Sequence, residues 1–283
     1  MQKDIVLLVT RRLNDMQRVF GYSTGKDSTA LILWGKEQFP AEEITVITND
    51  TIWEHELVYG YLAEMRDDLL KGLRFELLPS MGMEKLVEIK HRVPSAKARF
   101  CTENLKVKPT IEFLKTINDE YELYDGKRRD ESDSRSQLPE REWSDHYDCW
   151  VNHPLANWTV EQVFAIAAKY NIKPNPLYLL NAGRVGCFPC VLINHRELKS
   201  FLLHPVLGPE VRRRIKRLEE ICGRSFFPPN YIPKRYMTGR DPKTGKVFPW
   251  SDDVFTYLDM KTLAELPWEE SKSCMSIYNL CER

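Results

Sequence analysis

Apolar positions along the chain alternate between short β-branched runs and longer stretches with helical spacing. Arg18-Val19-Phe20-Gly21-Tyr22 reads as a buried strand, and Thr29-Ala30-Leu31-Ile32-Leu33-Trp34 has the apolar density of a helix packed on a sheet. Ile44-Thr45-Val46-Ile47-Thr48 alternates and is β-branched, which predicts a second strand. Residues 55 to 70 repeat apolar side chains at helical spacing, and Arg74-Phe75-Glu76-Leu77-Leu78 predicts a third strand. Residues 84 to 118 read as largely helical, with breaks near Pro94 and Pro109, and Tyr121-Glu122-Leu123-Tyr124 predicts a fourth strand ending at Gly126. Strands alternating with helices imply right-handed crossovers. The expected fold class is therefore α/β, a doubly wound, mainly parallel sheet with helices on both faces.

The flanks are plainer. Residues 4 to 14 read as a short polar-faced helix, and residues 127 to 148 are charged and suit a long active-site loop. Thr159 opens an amphipathic helix to Tyr170, with Glu161 and Gln162 near its N-terminus. Pro174, Pro176, Gly183, Gly186 and Pro189 mark a loop-rich segment, Arg212 to Ile221 is a basic helix, and the remainder to Arg283 reads as irregular. This divides the chain into a nucleotide-binding α/β domain at 1–180 and a smaller cysteine-bearing C-terminal region at 181–283.

Charge refines the picture. The 283 residues carry 41 basic and 41 acidic side chains, so no polyanionic partner is announced by net charge. The basic run Arg212-Arg213-Arg214-Ile215-Lys216-Arg217 is either a nucleic-acid contact or a solvated face compensated by Glu219 and Glu220. The apolar run Ile5 to Val9 is too short for a signal segment or a membrane span, so the expectation is a cytoplasmic protein with no membrane partner. Seven cysteines stand at 101, 149, 187, 190, 222, 274 and 281. In a reducing compartment that odd set reads as metal-binding or redox-active.

The first chemical motif is Ser23-Thr24-Gly25-Lys26-Asp27-Ser28, between a predicted strand and a predicted helix. Loop N–H groups and a helix N-terminus converge there and favour an anion. Gly25 allows close approach, Lys26 supplies a point charge, and Ser23 and Ser28 supply hydroxyls. The Walker spacing fails, because Gly21 and Gly25 are only three residues apart. The competing reading is a polar turn in which Asp27 or Ser28 merely caps the helix.

The hexapeptide resembles the Ser-Gly-Gly-x-Asp-Ser loop of the PP-loop superfamily, with Thr24 in place of the second-position glycine. Four further stretches match in order. Asp50-Thr51 follows the second strand; Gly126-Lys127-Arg128-Arg129-Asp130-Glu131-Ser132, running on to Arg135, resembles the Gly-x-Arg-x-Asp-Glu-Ser stretch of the phosphoadenosine phosphosulfate (PAPS) reductase family. Phe100-Cys101-Thr102-Glu103-Asn104-Leu105-Lys106-Val107-Lys108-Pro109 resembles that family's Cys-x-x-x-[Leu/Arg]-Lys-x-x-Pro segment. Gly183-Arg184-Val185-Gly186-Cys187-Phe188-Pro189-Cys190, preceded by Asn175-Pro176-Leu177-Tyr178, resembles its Gly-Cys-x-Pro-Cys segment. The resemblance covers residues 16 to 230 and implies an adenine nucleotide (PAPS, APS or ATP) held by Ser23 to Ser28, Asp50, Thr51, Gly126, Arg128, Asp130, Glu131, Ser132 and Arg135. Lys26, Asp27 and Arg128 are the implied catalytic groups of the cleft, with Arg128 suited to bidentate phosphate or sulfate recognition.

Cys101, Cys187 and Cys190 fall where the family's adenylyl-sulfate reductases hold a 4Fe-4S cluster, but Thr102 replaces the second cysteine of the usual pair, leaving one ligand short. A zinc site completed by Cys222 or His195, or uncoordinated thiols, are the alternatives. Cys149 reads as a small core residue. The family's nucleophilic tail motif, Glu-Cys-Gly-[Leu/Ile]-His, is absent; Cys274 and Cys281 are the catalytic candidates in its place.

The resemblance thus implies an enzyme, and two reactions compete. One is sulfonucleotide reduction with an iron–sulfur cluster and a thiol reductant. The other is ATP cleavage with Mg2+ to adenylate and thiolate a nucleic acid, drawing on a sulfur donor, with Asp27 on the magnesium. A nucleotide- or cluster-sensing binding module is the non-enzymatic reading.

Overall fold

The structure, a computed structural model, describes residues 16–266. The helix expected over residues 4 to 14 and the tail cysteines Cys274 and Cys281 lie outside the described residues. The predicted alternation is present as β1 (Gln17–Gly21), α1 (Lys26–Gln38), β2 (Ile44–Asp50), α2 (Glu56–Asp67) and β3 (Arg74–Pro79). Then come α3 (Met83–Lys90), α4 (Phe100–Thr102), α5 (Lys108–Leu114) and β4 (Tyr121–Tyr124). A hairpin of β5 (Arg141–Ser144) and β6 (Cys149–Asn152) completes the sheet, in the order β3-β2-β1-β4-β6-β5. Every pairing is parallel except β5 with β6. It is a mostly parallel α/β sheet, as the alternation implied.

Side chains on the two faces of the sheet build two cores. Phe20, Ile44 and Val46 face α1, α2 and the helix α6 (Val160–Lys169) through Leu31, Leu62 and Val163. Val19, Ile47, Leu123 and Val151 face Leu114 of α5 on the other side. Successive strand residues point to opposite faces, so neighbours Val19 and Phe20 enter different cores. The capping box expected at α6 is present, with Thr159 accepting from Gln162 N–H and Gln162 accepting from Thr159 N–H.

Three expectations are corrected. The helix does not break at Pro109. Residues Glu103–Val107 form a π-turn in which Lys108 N–H bonds the Glu103 carbonyl, five residues back. That widened turn makes room for a proline ring that an α-helical ladder would reject. Second, the charged stretch 127 to 148 is not all loop, because it contains β5. The strand was hidden because it is the sheet edge, where Arg141, Glu142 and Trp143 stay exposed and no apolar alternation is needed. The loop-rich segment holds the short α7 (Pro176–Leu179), followed by α8 (His195–Leu203) and the expected basic helix as α9 (Leu207–Cys222). Third, the described stretch after α9 is not irregular, because it holds a hairpin of β7 (Gly239–Arg240) and β8 (Val247–Phe248), and α10 (Ser251–Asp259). In α10 buried Val254, Phe255 and Leu258 supply a helical stripe that its Pro- and Trp-rich surroundings mask.

One hydrophobic core runs from Trp53, Met83, Leu86 and Leu105 into Phe188, Phe201, Ile215 and Phe255. Residues 181–266 therefore pack on segments of the sheet-bearing half through shared apolar contacts. Among the described residues no helix is long and apolar enough to cross a membrane.

The approach of α1 to the sheet yields a prediction. A Cβ at Gly35 would stand 2.6 Å from the Phe20 ring, which is itself stacked on Tyr124 with 4.6 Å between centroids. Glycine to alanine in a helix normally stabilises by up to about 1 kcal/mol. Here overpacking should win, and Gly35→Ala should lower unfolding stability by about 1–3 kcal/mol. Denaturant titration checks the sign.

Candidate functional site

The chain reverses direction across the sheet between β1 and β4, because β2 lies on one side of β1 and β4 on the other. Crevices outside the carboxyl ends of strands form at such switch points. The loop after β1 and the loop after β4 meet there and line a cleft of about 700 Å³, a size typical of small-molecule sites.

The β1 loop is Ser23 to Ser28. Ser28 Oγ donates to the Gly25 carbonyl at 3.0 Å and accepts from Ser23 N–H at 3.1 Å, and the two serine hydroxyls lie 3.3 Å apart. Gly25 is the N-cap of α1 and offers no side-chain bond. Neither Asp27 nor Ser28 caps the helix. The positive end of α1 opens onto the cleft.

Thr24 stands in the left-handed region with φ 61°, a conformation glycine adopts without cost. Its strain is met by buried Asn175, whose Nδ2 donates to Thr24 Oγ1 at 3.3 Å and to its carbonyl at 3.5 Å. Three residues on, the Tyr178 hydroxyl accepts from Lys26 N–H at 3.1 Å. One short helix, α7, thus grips the loop at two points. The sequence alone assigns neither residue a role, although both belong to the matching stretch Asn175-Pro176-Leu177-Tyr178.

The charged centre is Asp27. Its Oδ2 accepts from Lys26 Nζ at 2.7 Å and its Oδ1 from Arg128 Nε at 2.6 Å. Burial works against the Lys26 charge, but Tyr178 and Asp27 outweigh it and hold the ammonium's pKa above its ordinary value. Arg128 has no exposed side-chain surface, and its Nη1 donates to the Trp158 carbonyl at 3.2 Å. Two of its nitrogens are thus engaged by Asp27 and a backbone carbonyl, while its buried Nη2 has no hydrogen-bond partner among the described residues, and Arg128 lines the cleft. Gly126 is needed for this closeness, since a Cβ there would lie 2.9 Å from the Asp27 carbonyl.

The remaining expected residues divide. Asp50, Glu131 and Arg135 line the cleft with the loop residues. Asp50 accepts from Ile52 N–H and from the Tyr59 hydroxyl, each at 2.8 Å. Arg135 pairs with Glu131. Thr51 is fully buried behind the cleft, donating to Glu54 Oε1 at 2.7 Å. Asp130 and Ser132 are not among the cleft-lining side chains, and Asp130 lies 3.6 Å from Arg128 Nη1. Sequence reasoning missed Glu54, Tyr59, Lys106, Lys127, Arg184 and Glu197, all of which line the cleft. Burial raises the pKa of the Glu197 carboxyl, which accepts from Gly183 N–H at 2.9 Å.

The cysteines of the second motif stand at the rim. Cys187 bridges to Glu54 across an isolated antiparallel contact, and its Sγ lies 3.5 Å from Thr51 Oγ1. Burial pushes the Cys187 thiol up to about 11 against the opposing pull of Lys106, and burial likewise raises Cys101. Cys190 is close enough to act electrostatically on both. Yet among the described residues no three His, Cys, Asp or Glu side chains stand together as a metal-holding group. Cys190 is thus the thiol shared by the other two, and Thr102 leaves the set one sulfur short of four. Cys222 donates to the Leu218 carbonyl at 3.1 Å, and Cys149 is buried in the core.

For the basic helix the sequence admits a solvated face or a nucleic-acid contact. Arg214 of α9 is neither. Its Nη1 donates to the Trp53 and Phe188 carbonyls at 3.1 and 2.8 Å, and its Nη2 to the Glu54 carbonyl at 3.0 Å. It ties the Cys187 turn to the loop after β2.

Comparison with known proteins agrees with this geometry. The family model described as the phosphoadenosine phosphosulfate reductase domain matches residues 17–192. The chain is 38% identical over 165 residues to an uncharacterized 37.8 kDa protein of Escherichia phage 186, covering 52% of this chain and 47% of that one. It is 33% identical over 143 residues to the adenosine 5'-phosphosulfate reductase of Salinibacter ruber, covering 48% and 54%. The chain thus spans about half the length of the curated relatives it matches. A phosphate complex of phosphoadenylyl-sulfate reductase from Candida auris is similar at 16% identity and a TM-score of 0.47, over 66% of this chain and 88% of that one.

The grip of α7 on the loop is testable. Asn175→Ala should leave Thr24 strained and its carbonyl without this partner, costing about 1–3 kcal/mol. Adding Thr24→Gly to that variant should recover about 1 kcal/mol, because glycine accepts the left-handed conformation. Thermal unfolding of the single and double variants reads the difference; equal stability of the two would refute the strain.

Proposed function

This chain belongs to the phosphoadenosine phosphosulfate reductase domain family, and from that premise we propose that it binds an adenine sulfonucleotide, PAPS or APS, in the cleft and reduces its sulfonate to sulfite. The observation that carries the reading is the state of Asp27. Both of its oxygens are taken by cations, Lys26 and Arg128. The loop therefore offers an anion the N-terminus of α1 and a lysine charge, and a magnesium ion at Asp27 would have to share the carboxylate with two cations. That weakens the ATP-cleaving, nucleic-acid-thiolating alternative, which assigns Asp27 to magnesium.

In the proposed reaction a cysteine thiolate attacks the sulfonate sulfur and breaks its bond to the nucleotide's phosphate oxygen. The nucleotide leaves with that electron pair, and the cysteine carries an S-sulfonate. A thiol reductant then attacks the cysteine sulfur, releasing sulfite and forming a disulfide, so two thiols supply the two electrons. The candidate nucleophiles are Cys274 and Cys281, outside the described residues. Lys26 and the helix N-terminus bind the phosphates, while Arg128, Asn175 and Tyr178 hold the loop in shape.

On donor chemistry we also propose that Cys101, Cys187 and Cys190 are the chain's soft-metal ligands, for an iron–sulfur centre ahead of zinc. No step above passes through it. Anaerobically purified protein should carry iron and sulfide, and each single Cys→Ser change at these positions should remove the same visible chromophore. Stoichiometric zinc, or no metal, would overturn this assignment.

The reaction itself is tested with PAPS or APS and a dithiol, measuring sulfite. Lys26→Ala loses a charge-assisted contact worth about 1.5–3 kcal/mol, so nucleotide affinity should fall about tenfold or more. Truncation after Trp268 removes both tail cysteines. It should leave nucleotide binding intact and abolish sulfite release, because no other group replaces a covalent nucleophile. Pyrophosphate release from ATP with no sulfite from either sulfonucleotide would favour the thiolation reading instead, and binding without any turnover would point to a sensor.

A further inference from the structure

Cations are unevenly used in this neutral chain. The basic helix α9 commits four of its five to intramolecular pairs: Arg212 with Asp259, Arg214 with Glu210, Lys216 with Asp252 and Arg217 with Glu84. The segment from Gly223 to Trp250 is different. It carries Arg224, Lys234, Arg235, Arg240, Lys243 and Lys246 against a single carboxylate, Asp241. All six cations are exposed, and none pairs with a carboxylate among the described residues. This segment also lies beyond residue 192, where the family match ends.

The β7–β8 hairpin gathers four of them. Arg240 ends β7, Lys243 and Lys246 sit on the turn, and Arg224 is close enough to act electrostatically on Asp241. Ser225 bonds the Pro249 carbonyl, which ties the Arg224 strand of chain to the base of the hairpin. The one carboxylate is consumed by the turn. Asp241 Oδ1 accepts from Lys243 N–H at 3.0 Å, and from Thr244 N–H and its hydroxyl at 2.7 and 3.0 Å. Arg240 Nη1 donates to the Gly245 carbonyl at 3.1 Å, which stiffens the loop and leaves the rest of its guanidinium outward. Gly245 takes φ 68°, the left-handed turn position that a side chain rarely adopts. Half-buried aromatics border the patch, with Phe248 edge-on to Trp250 at 5.1 Å and Arg235 over the Tyr236 ring at 4.9 Å.

We propose that this hairpin is a docking surface for the phosphodiester backbone of a nucleic acid. A rigid, narrow ribbon with cations at its tip matches a regularly charged polyanion, and two-stranded ribbons fit nucleic-acid grooves. Uncompensated lysines on a structured turn bind phosphates without sequence choice and release counterions as they do so. The arrangement displaces the nucleic-acid role from α9, where the charges are already paired, to the hairpin. It stands apart from the reductase reading, since it concerns a surface that the cleft does not include.

The test is anisotropy of a fluorescein-labelled duplex DNA of about 20 base pairs, titrated with the full chain across a salt series; four phosphate contacts predict a log–log slope near −3.6, about −0.9 per contact. The double variant Lys243→Ala/Lys246→Ala should flatten that slope by about 2 and weaken binding by about tenfold for each lysine removed. These are exposed turn positions outside the cleft, so circular dichroism and nucleotide affinity should not change, which separates impaired docking from misfolding or a failed cleft assignment. An unchanged slope in the double variant overturns the proposal, and so does the absence of binding at low salt. Displacement of the DNA by polyglutamate at equal charge concentration would overturn the nucleic-acid assignment in favour of an acidic protein partner.

Discussion

The contact between Asp27 and Arg128 joins the two halves of the site. Asp27 belongs to the loop after β1 and Arg128 to the loop after β4, and the two are otherwise separate excursions from the sheet. A guanidinium with no exposed surface is unfavourable to bury, and removing its partner would cost about 3–5 kcal/mol. The pairing is therefore less a source of stability than a constraint that admits one arrangement. It fixes the register between the loops, and Gly126 is small because nothing larger fits beside the Asp27 carbonyl. Lys26, on the other side of the same carboxylate, is held charged at the mouth of the helix. If an anion binds here as proposed, the loop is already ordered for it, which lowers the ordering cost of binding.

A second constraint ties the C-terminal region to this frame. Arg214 bonds three carbonyls on two segments, and Glu210 beneath it accepts from Arg214 Nε at 2.8 Å while facing His55 Nε2 at 3.1 Å. His55 Nδ1 in turn accepts from Leu57 N–H at the start of α2. One polar chain thus runs from α9 through the start of α2 to the Cys187 turn. Burial lowers the His55 pKa, with Arg214 adding to burial and Glu210 opposing it. His55 Nε2 lies near Glu210 but has no hydrogen-bond partner among the described residues, so this link of the chain is electrostatic. Through Arg214 the same helix reaches the carbonyl of Glu54, which lines the cleft.

The sheet, its order of alternation and the loop between β1 and α1 were legible because each leaves a local signature. β2 reads as a strand from its β-branched run alone, and the hexapeptide declares itself by its place between strand and helix. Roles that depend on what lies opposite were not legible. Arg128 has the chemistry of an anion clamp, and only the position of Asp27 shows that its Nε is already engaged. Arg214 looks like one more cation in a basic run, and burial alone distinguishes it from exposed Arg213. The edge strand β5 escaped for a related reason, since an edge facing solvent has no need of the period-two pattern that betrays an inner strand. Thr24 is a third case. A threonine in place of a glycine looks like a loosened loop until Asn175, about 150 residues away in the chain, is seen to hold it.

The same distinction between paired and free groups decides what the surfaces can do. The chain has equal numbers of acids and bases, so every local excess is matched elsewhere. At Asp27 and along most of α9, cations meet carboxylates within the fold, and their charge holds loops and helices in place. On the hairpin the only carboxylate accepts three hydrogen bonds from the turn, and the cations around it form no ion pair among the described residues. Exposed ion pairs contribute little to stability, about 0–1 kcal/mol, so leaving these lysines unpaired costs the fold almost nothing. An excess that the fold tolerates so easily, rigidly presented and remote from the cleft, is better explained by what lies outside the molecule than by anything within it.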